Sequence, residues 1–361
     1  MNENQKLGTI MKELIRFSLP LILSGVLQQL YNWADAFIVG NVDGELSLSA
    51  IGVTSIPISF FITTITGFTL DGQFPVVFAE KGLAMVEFSG PVPQEGEEYL
   101  RCIQGGTMEN TVPGHCRAYL VTERKSEIVK ALSDFAQEHR HSLHAKILDD
   151  GVLVEAVGME THSISLEQGV NAISAMVDFL DHLEFGSPQL RRVIRFLRQK
   201  IGFELYGDSL GIAYADEFSG KLTVNLGILS YDGETMNVRL DLRYPVTCQY
   251  DQVYQRLWGA FRDQGFREVE NSYWDPIYFP REHFLIEALL KAYQKVTRDK
   301  SEPTYSGSGS YSKSIPNVAA FGAIFPGESL AWHQKNEYVD IDNLVKTCEI
   351  YAEAICRLGQ L

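Results

Sequence analysis

Two stretches of this 361-residue sequence carry no formal charge, residues 17–34 and residues 46–70. The first 70 residues hold three basic and five acidic side chains, whereas the remaining 291 hold 28 and 41. The chain therefore reads as two chemically different parts. A helix needs roughly 20 apolar residues to cross the hydrocarbon core. The 25-residue stretch LSLSAIGVTSIPISFFITTITGFTL is long enough to do so with some tilt. Its Ser, Thr, Gly and Pro are tolerated in membrane helices that pack on other helices. The earlier, 18-residue stretch carries Gln28, Gln29 and Asn32, polar groups that at membrane depth face a bundle interior or a cavity. Residues 13–70 are thus expected to meet a membrane through two spanning helices. The interrupted apolar run and the lack of a small-residue cleavage site argue against a signal peptide.

The net charge is −15 and the pI about 5.0, so no nucleic-acid partner is expected, because phosphate contacts need a basic face. The five cysteines (102, 116, 248, 348 and 356) form no C-x-x-C pair. That spacing supports neither a disulfide scaffold nor a zinc ribbon and points to a reducing compartment, the cytoplasm, for the polar part.

Beyond Asp71 the pattern becomes that of a mixed α/β fold. The run FPVVFAEKGLAMVEFSG reads as β-rich, with a turn at Lys81-Gly82. Residues 126–139 place Ile128, Val129, Leu132 and Phe135 at helical spacing behind Ser126 as cap. Strand pairs are expected around Asp150-Gly151 and Asp232-Gly233, both favoured hairpin dipeptides. Further helices are expected over 166–184, 250–264, 281–296 and 341–357. Strand pairs and helices recur in 75–160 and again in 160–275, a hint of repeated topology.

Several side-chain groups could carry chemistry. His139, His141 and His144 form H-x-H-x-x-H past a helix end. A metal would require them to converge where the chain changes direction, and the helix dipole alone favours histidine there. Glu97-Glu98 lies in a polar turn and reads as solvated. The run Gly307 to Tyr311 could cradle an anion with backbone N–H groups, although it lacks the G-K-[ST] of a P-loop. His333 follows a β-like segment and precedes a polar Asn-Glu pair.

Two resemblances sharpen this picture. Residues 1–70 resemble the start of a MATE-type (multidrug and toxic-compound extrusion) transporter. They carry Pro20, Ser24, Gln28, Tyr31, Asn32 and Asp35, then Gly44, Leu48, Ala50 and Gly52. Two helices cannot form an alternating-access pathway, which needs facing bundles or repeats. Residues 67–361 resemble the PepV-type dipeptidases, within the dinuclear zinc peptidases that include carnosinase, aminoacylase and carboxypeptidase G. The segments are GFTLDGQFPVVFAEKG, GGTMENTVP, GMETHSISLEQGVNAI, NVRLDLRYP and GSGSYSKSIPNVAAFGAIFPGESLAWHQKNEYVDIDNL, in the family's order.

The peptidase resemblance implies a partial zinc-binding α/β catalytic domain (71–75 and 275–361) interrupted by an α+β lid (76–274). It implies two ions, Zn2+ or alternatively Mn2+ or Co2+, with Asp71 holding one and His333 the other, and a dipeptide as substrate. Asn110 and His162 would reach from the lid to the reacting group, Arg243 would hold the peptide's C-terminal carboxylate, and Gly307, Ser308, Gly309 and Ser310 would line the substrate. These roles make chemical sense, since amide hydrolysis needs a metal-activated water and donors for the oxyanion, and Arg matches a carboxylate.

The sequence also departs from the family pattern. No His is followed by x-Asp, and the one Glu-Glu pair follows Asp71 instead of preceding it. The H-x-D motif, the bridging Asp and the general-base Glu of the family thus have no counterpart, and Ser312-Lys313 stands where relatives tend to have Ala-Arg. The expectation is a dipeptidase-family chain that hydrolyses peptides very slowly or not at all. The alternatives are a membrane-anchored, transporter-derived fusion and a non-catalytic module that binds dipeptides through Arg243 and the Gly loop.

Overall fold

The computed structural model describes residues 67–328 and 338–359. The transporter-like segment up to residue 66, with the membrane contact read from it, lies outside the described residues, as does His333. Among the described residues no helix is long and apolar enough to cross a membrane.

In chain order the first strands are β1 (Gly67–Thr69), β2 (Gly72–Gln73), β3 (Val77–Glu80), β4 (Gly82–Pro91), β5 (Tyr99–Gly105), β6 (Thr111–Val112) and β7 (His115–Val121). Then come β8 (Ser142–Leu148), β9 (Gly151–Val157), β10 (Thr161–His162), β11 (Ala215–Asp216), β12 (Gly220–Lys221), β13 (Thr223–Tyr231) and β14 (Thr235–Tyr244). The last are β15 (Arg267–Trp274), β16 (Ile277–Tyr278), β17 (Thr304–Ser306), β18 (Val318–Ala320) and β19 (Ala323–Ile324). The helices are α1 (Lys125–His139), α2 (Ala172–Leu183), α3 (Pro188–Lys200), α4 (Tyr250–Arg262), α5 (Phe284–Thr297) and α6 (Ile341–Leu358).

Eight strands form one antiparallel sheet in the order β15-β4-β14-β13-β5-β7-β9-β8. One face is apolar and is covered by α1 to α4, so that Phe135, Phe179, Phe196 and Phe261 share a core with Leu120, Val154 and Leu240. Along β7 the other face presents His115 and Arg117 to water, the alternation expected of a half-covered antiparallel sheet. The expected recurrence holds only in part. Strand β4 leaves the early half and pairs over its whole length with β14, from Thr235↔Pro91 to Tyr244↔Gly82. The two four-strand halves meet only where Leu229–Tyr231 lies against Ile103–Gly105.

Both hairpins form at the expected dipeptides. Three helix starts differ from the expectation, α5 opening at Phe284 behind a His283 cap instead of at residue 281. Helix α2 begins at Ala172, because the Asn171 side chain accepts the Ile173 and Ser174 N–H groups and thereby caps it. Val170, apolar and at helical spacing, lies before that cap and is exposed. Helix α1 begins behind Arg124, with no side-chain cap, and Ser126 sits inside its first turn. Glu98 is not merely solvated: it accepts three hydrogen bonds from the Arg124 guanidinium.

The remaining strands are short: β1 with β18, β2 with β19 and β3 with β17 pair in parallel, while β16 with β3, β6 with β10 and β11 with β12 pair antiparallel. All four residues of β3 are buried, as parallel strands usually are. Helix α5 presents Leu285, Ile286, Leu289, Ala292 and Tyr293 to this second core, a stripe at helical spacing. Phe68 packs edge-on to Phe321 at 5.3 Å. Residues 67–69 are therefore a paired strand, not the end of a spanning helix. Lys81-Gly82 is likewise no hairpin turn. There the chain leaves β3, among the short strands, and enters β4 in the large sheet; it returns between Trp274 and Ile277.

Candidate functional site

Asn110 is placed by a close backbone approach. Strand β13 bulges between Leu226 and Ile228, and a Cβ on Gly227 would lie 2.2 Å from the Glu109 carbonyl oxygen. Only glycine lets the 106–110 loop settle there. Buried Asn225 then donates to the carbonyls of Glu109 and Thr111 at 2.8 and 2.9 Å. Across the short β6–β10 ladder His162 lies opposite Thr111, and the Ser163 N–H donates to the Asn110 carbonyl at 2.9 Å. Asn110 and His162, far apart in sequence, thus share one strand end. The His162 Nδ1 accepts the Ile164 N–H at 3.2 Å, so a neutral ring carries its proton on Nε2 and has a donor there.

Next to His162, the Ser163 hydroxyl joins a buried network. Arg243, 4% exposed, donates from Nε and Nη2 to the two Asp241 oxygens at 2.6 Å each. Its Nη2 also donates to Ser163 Oγ, and its Nη1 to the Gly307 carbonyl, both at 3.0 Å. Ser163 Oγ in turn donates to Asp241 at 3.1 Å. These bonds use four of the five guanidinium N–H groups. Arg243 is therefore first a strut that holds strand β14 to the Gly loop, with one Nη1 N–H left over. Asp241 was not singled out from the sequence, yet the signal was there, because residues two apart on a strand face the same side.

The Gly loop is held at its other end by a second residue the motifs did not reveal. Glu80, 1% exposed at the end of β3, accepts the Ser310 N–H at 3.2 Å and the Ser310 and Ser312 hydroxyls at 2.7 Å each. The Ser306 hydroxyl accepts the Ser308 N–H at 3.1 Å, and Asp71 accepts the Tyr311 N–H at 3.3 Å. Three of the five N–H groups that could have cradled an anion, those of Ser308, Ser310 and Tyr311, are thus bonded within the protein, which leaves little of that cradle. Gly309 passes so close to Leu83 that a Cβ would lie 2.4 Å from its Cδ1. Lys313 donates to the Asp275 carbonyl at 2.9 Å, and burial pushes its pKa down to about 8, against the pull of Glu80.

The loop therefore brings most of the sequence-nominated residues together. Arg243 meets it at Gly307, Asp71 at Tyr311, and His162 with Asn110 adjoins through Ser163. Asp71 also opens onto a cleft of about 490 Å³ lined by Glu328, Tyr338, Asp340, Asn343 and Leu344. Two other carboxylates of that cleft are occupied. Glu328 accepts from the Phe325 N–H and from Asn343, and Asp340 caps α6 through the Asn343 N–H at 3.0 Å. A zinc ion takes about four N, O or S donors. Among the described residues Asp71 is the one such donor from the nominated pair, so these residues do not by themselves assemble a two-ion centre.

No protein-family model matches the chain. Individual proteins do match. Over 298 residues the chain is 28% identical to "Putative dipeptidase YtjP" of Bacillus subtilis (strain 168), covering 81% of this chain and 64% of that protein. Over 299 residues it is 29% identical to "Putative dipeptidase SH1171" of Staphylococcus haemolyticus (strain JCSC1435), covering 81% and 63%. Its sequence is similar to those of proteins named as putative dipeptidases. The chain spans about 64% of the length of these relatives. Among solved structures, the aminoacylhistidine dipeptidase of Vibrio alginolyticus aligns with a TM-score of 0.41 at 12% identity, covering 80% of this chain and 64% of that one.

Proposed function

We propose that this chain recognises dipeptides as a relative of the metal-dependent dipeptidases, and that it hydrolyses them very slowly or not at all. The bound peptide lies along the Gly307–Ser310 loop. Its C-terminal carboxylate takes the remaining Nη1 N–H of Arg243, a charge-assisted bond. His162 and Asn110 stand at the scissile amide, where hydrolysis needs donors for a developing oxyanion. Asp71 and His333 are the residues that would hold metal, zinc, manganese or cobalt, and such an ion would supply an activated water. The lid, read from the sequence as 76–274, would begin at Gly82, where the chain enters the large sheet, so that residues 71–81 with 275–361 would form the metal-binding side. The five cysteines, all unpaired, support the cytoplasm as the compartment.

The observation that carries this reading is the double anchoring of the loop, to Arg243 at Gly307 and to Asp71 at Tyr311. The similarity to proteins named as dipeptidases supports the substrate class. The test is calorimetric titration of a dipeptide into the full chain, with a parallel hydrolysis assay in Zn2+, Mn2+ or Co2+. Binding with little turnover is expected. Absence of binding in every metal would overturn the recognition claim, and rapid metal-dependent turnover would overturn the claim of slow hydrolysis.

A further inference from the structure

The H-x-H-x-x-H run behaves differently from its motif. Helix α1 ends at Arg140, a non-glycine residue in the left-handed region (φ 57°), and the His141 N–H turns back to the Ala136 carbonyl at 3.1 Å. That reversal puts the rings of His139 and His141 on one side of the chain, with centroids 6.0 Å apart and nearly parallel. The His139 ring stacks on Phe135 at 4.1 Å and the His141 ring on Phe203 at 5.1 Å, so aromatic walls fix both imidazoles. Facing them from the middle of α2 is Asp178, a largely buried carboxylate. One ligand-type atom from each of His139, His141 and Asp178 lies within 4.8 Å of the other two. His144, the third histidine of the motif, lies instead beside Ser142, with its Nε2 3.3 Å from the hydroxyl.

We propose that His139, His141 and Asp178 form a binding site for a divalent transition metal, zinc by its ligand chemistry, on the helical side of the large sheet. Two imidazoles and a carboxylate are a donor set that zinc accepts, and tetrahedral bonds of about 2.0–2.1 Å need donors about 3.4 Å apart. Small side-chain rotations bring the three atoms to that spacing. The Asp178 oxygens are already divided in the required way. Oδ1 is held by the Arg198 Nε at 2.5 Å, while Oδ2 faces His141 Nε2 at 3.2 Å. Arg198 thus plays the part of the outer partner that orients a ligating carboxylate. His182 sits one turn after Asp178, its ring 4.9 Å from Phe135, and is not one of the three grouped ligands.

Such an ion would staple three separate elements, the end of α1, the start of β8 and the middle of α2. Strand β8 is an edge of the large sheet, and edges are where sheets open and aggregate. Binding to the folded state alone would raise stability by mass action.

The test is Zn2+ titration of the full chain carrying Asp71→Asn and His333→Ala, which removes the other nominated ligands. Heat and thermal midpoint are read, and Co2+ in place of Zn2+ gives the ligand-field absorption of nitrogen-ligated cobalt. Affinity is expected to fall at least about tenfold in His139→Ala and in His141→Ala, both near the surface, and to stay unchanged in His144→Ala. Asp178→Asn tests the carboxylate, with circular dichroism to verify folding. Zn2+ binding that His141→Ala leaves intact, an equal loss in His144→Ala, or no Zn2+ binding at all would overturn the proposal.

Discussion

Replacing Asp241 by alanine tests the buried network at its centre. Asp241 and Arg243 are 2% and 4% exposed, and the guanidinium gives two hydrogen bonds of 2.6 Å to the carboxylate. In Asp241→Ala the cation stays buried with Nε and one Nη2 N–H unpaired, held only by Ser163 and Gly307. Breaking a buried pair in this way costs about 3–5 kcal/mol. With a urea dependence of about 3 kcal/mol per molar, the unfolding midpoint should fall by about 1–1.7 M. The double variant Asp241→Leu with Arg243→Met removes both charges together. It should lie within about 2 kcal/mol of the parent, because paired buried ions often exchange for apolar residues at little cost. Urea unfolding followed by circular dichroism reads all three proteins. A single variant within about 1 kcal/mol of the parent, or a double variant no better than the single, would refute the reasoning.

Glu80→Ala leaves the Ser310 and Ser312 donors without their acceptor. It should cost about 2–4 kcal/mol and speed proteolysis near exposed Tyr311, seen by mass mapping of the cut sites. Lys313, which burial pushes from its ordinary 10.5 down to about 8, makes a pH-dependent contribution. Between those values the unfolded chain holds more protons, so this contribution rises with pH, by at most about 3 kcal/mol across the window, and is flat below it. The stability difference between the parent and Lys313→Met, measured by urea unfolding at pH 7 and pH 10, should shift in the parent's favour at the higher pH. Gly227→Ala forces a Cβ toward the Glu109 carbonyl and should cost at least about 2 kcal/mol, with chemical-shift changes concentrated at residues 106–111.

How much could be read from the sequence depended on whether a feature is local. The Asp150-Gly151 and Asp232-Gly233 hairpins and the α4 and α5 helices rest on dipeptides and periodicity, and they form as expected apart from the later start of α5. The start of α2 was misjudged because Val170 fits the apolar spacing while the deciding interaction is the side chain of Asn171. Lys81-Gly82 looked like a turn because nothing local says that β3 and β4 pair with strands more than a hundred residues away. Hydrogen bonds through Ser163, Gly307 and Tyr311 link the neighbourhoods of Asn110, His162, Arg243 and Asp71 to the loop. The order of the motifs along the chain could not show that Arg243 is largely occupied by Asp241, nor that Glu80 takes the Ser310 N–H and the Ser310 and Ser312 hydroxyls. Those are contacts between distant elements, and only the fold makes them.

The central claim is that a dipeptide's carboxylate is read by the remaining guanidinium N–H of Arg243. The direct measurement is isothermal titration of the unmodified chain with a free dipeptide and with the same dipeptide as its C-terminal amide. The free acid should bind at least about tenfold more tightly, the value of one lost charge-assisted hydrogen bond. Equal affinity for the two would contradict the claim, as would binding of neither.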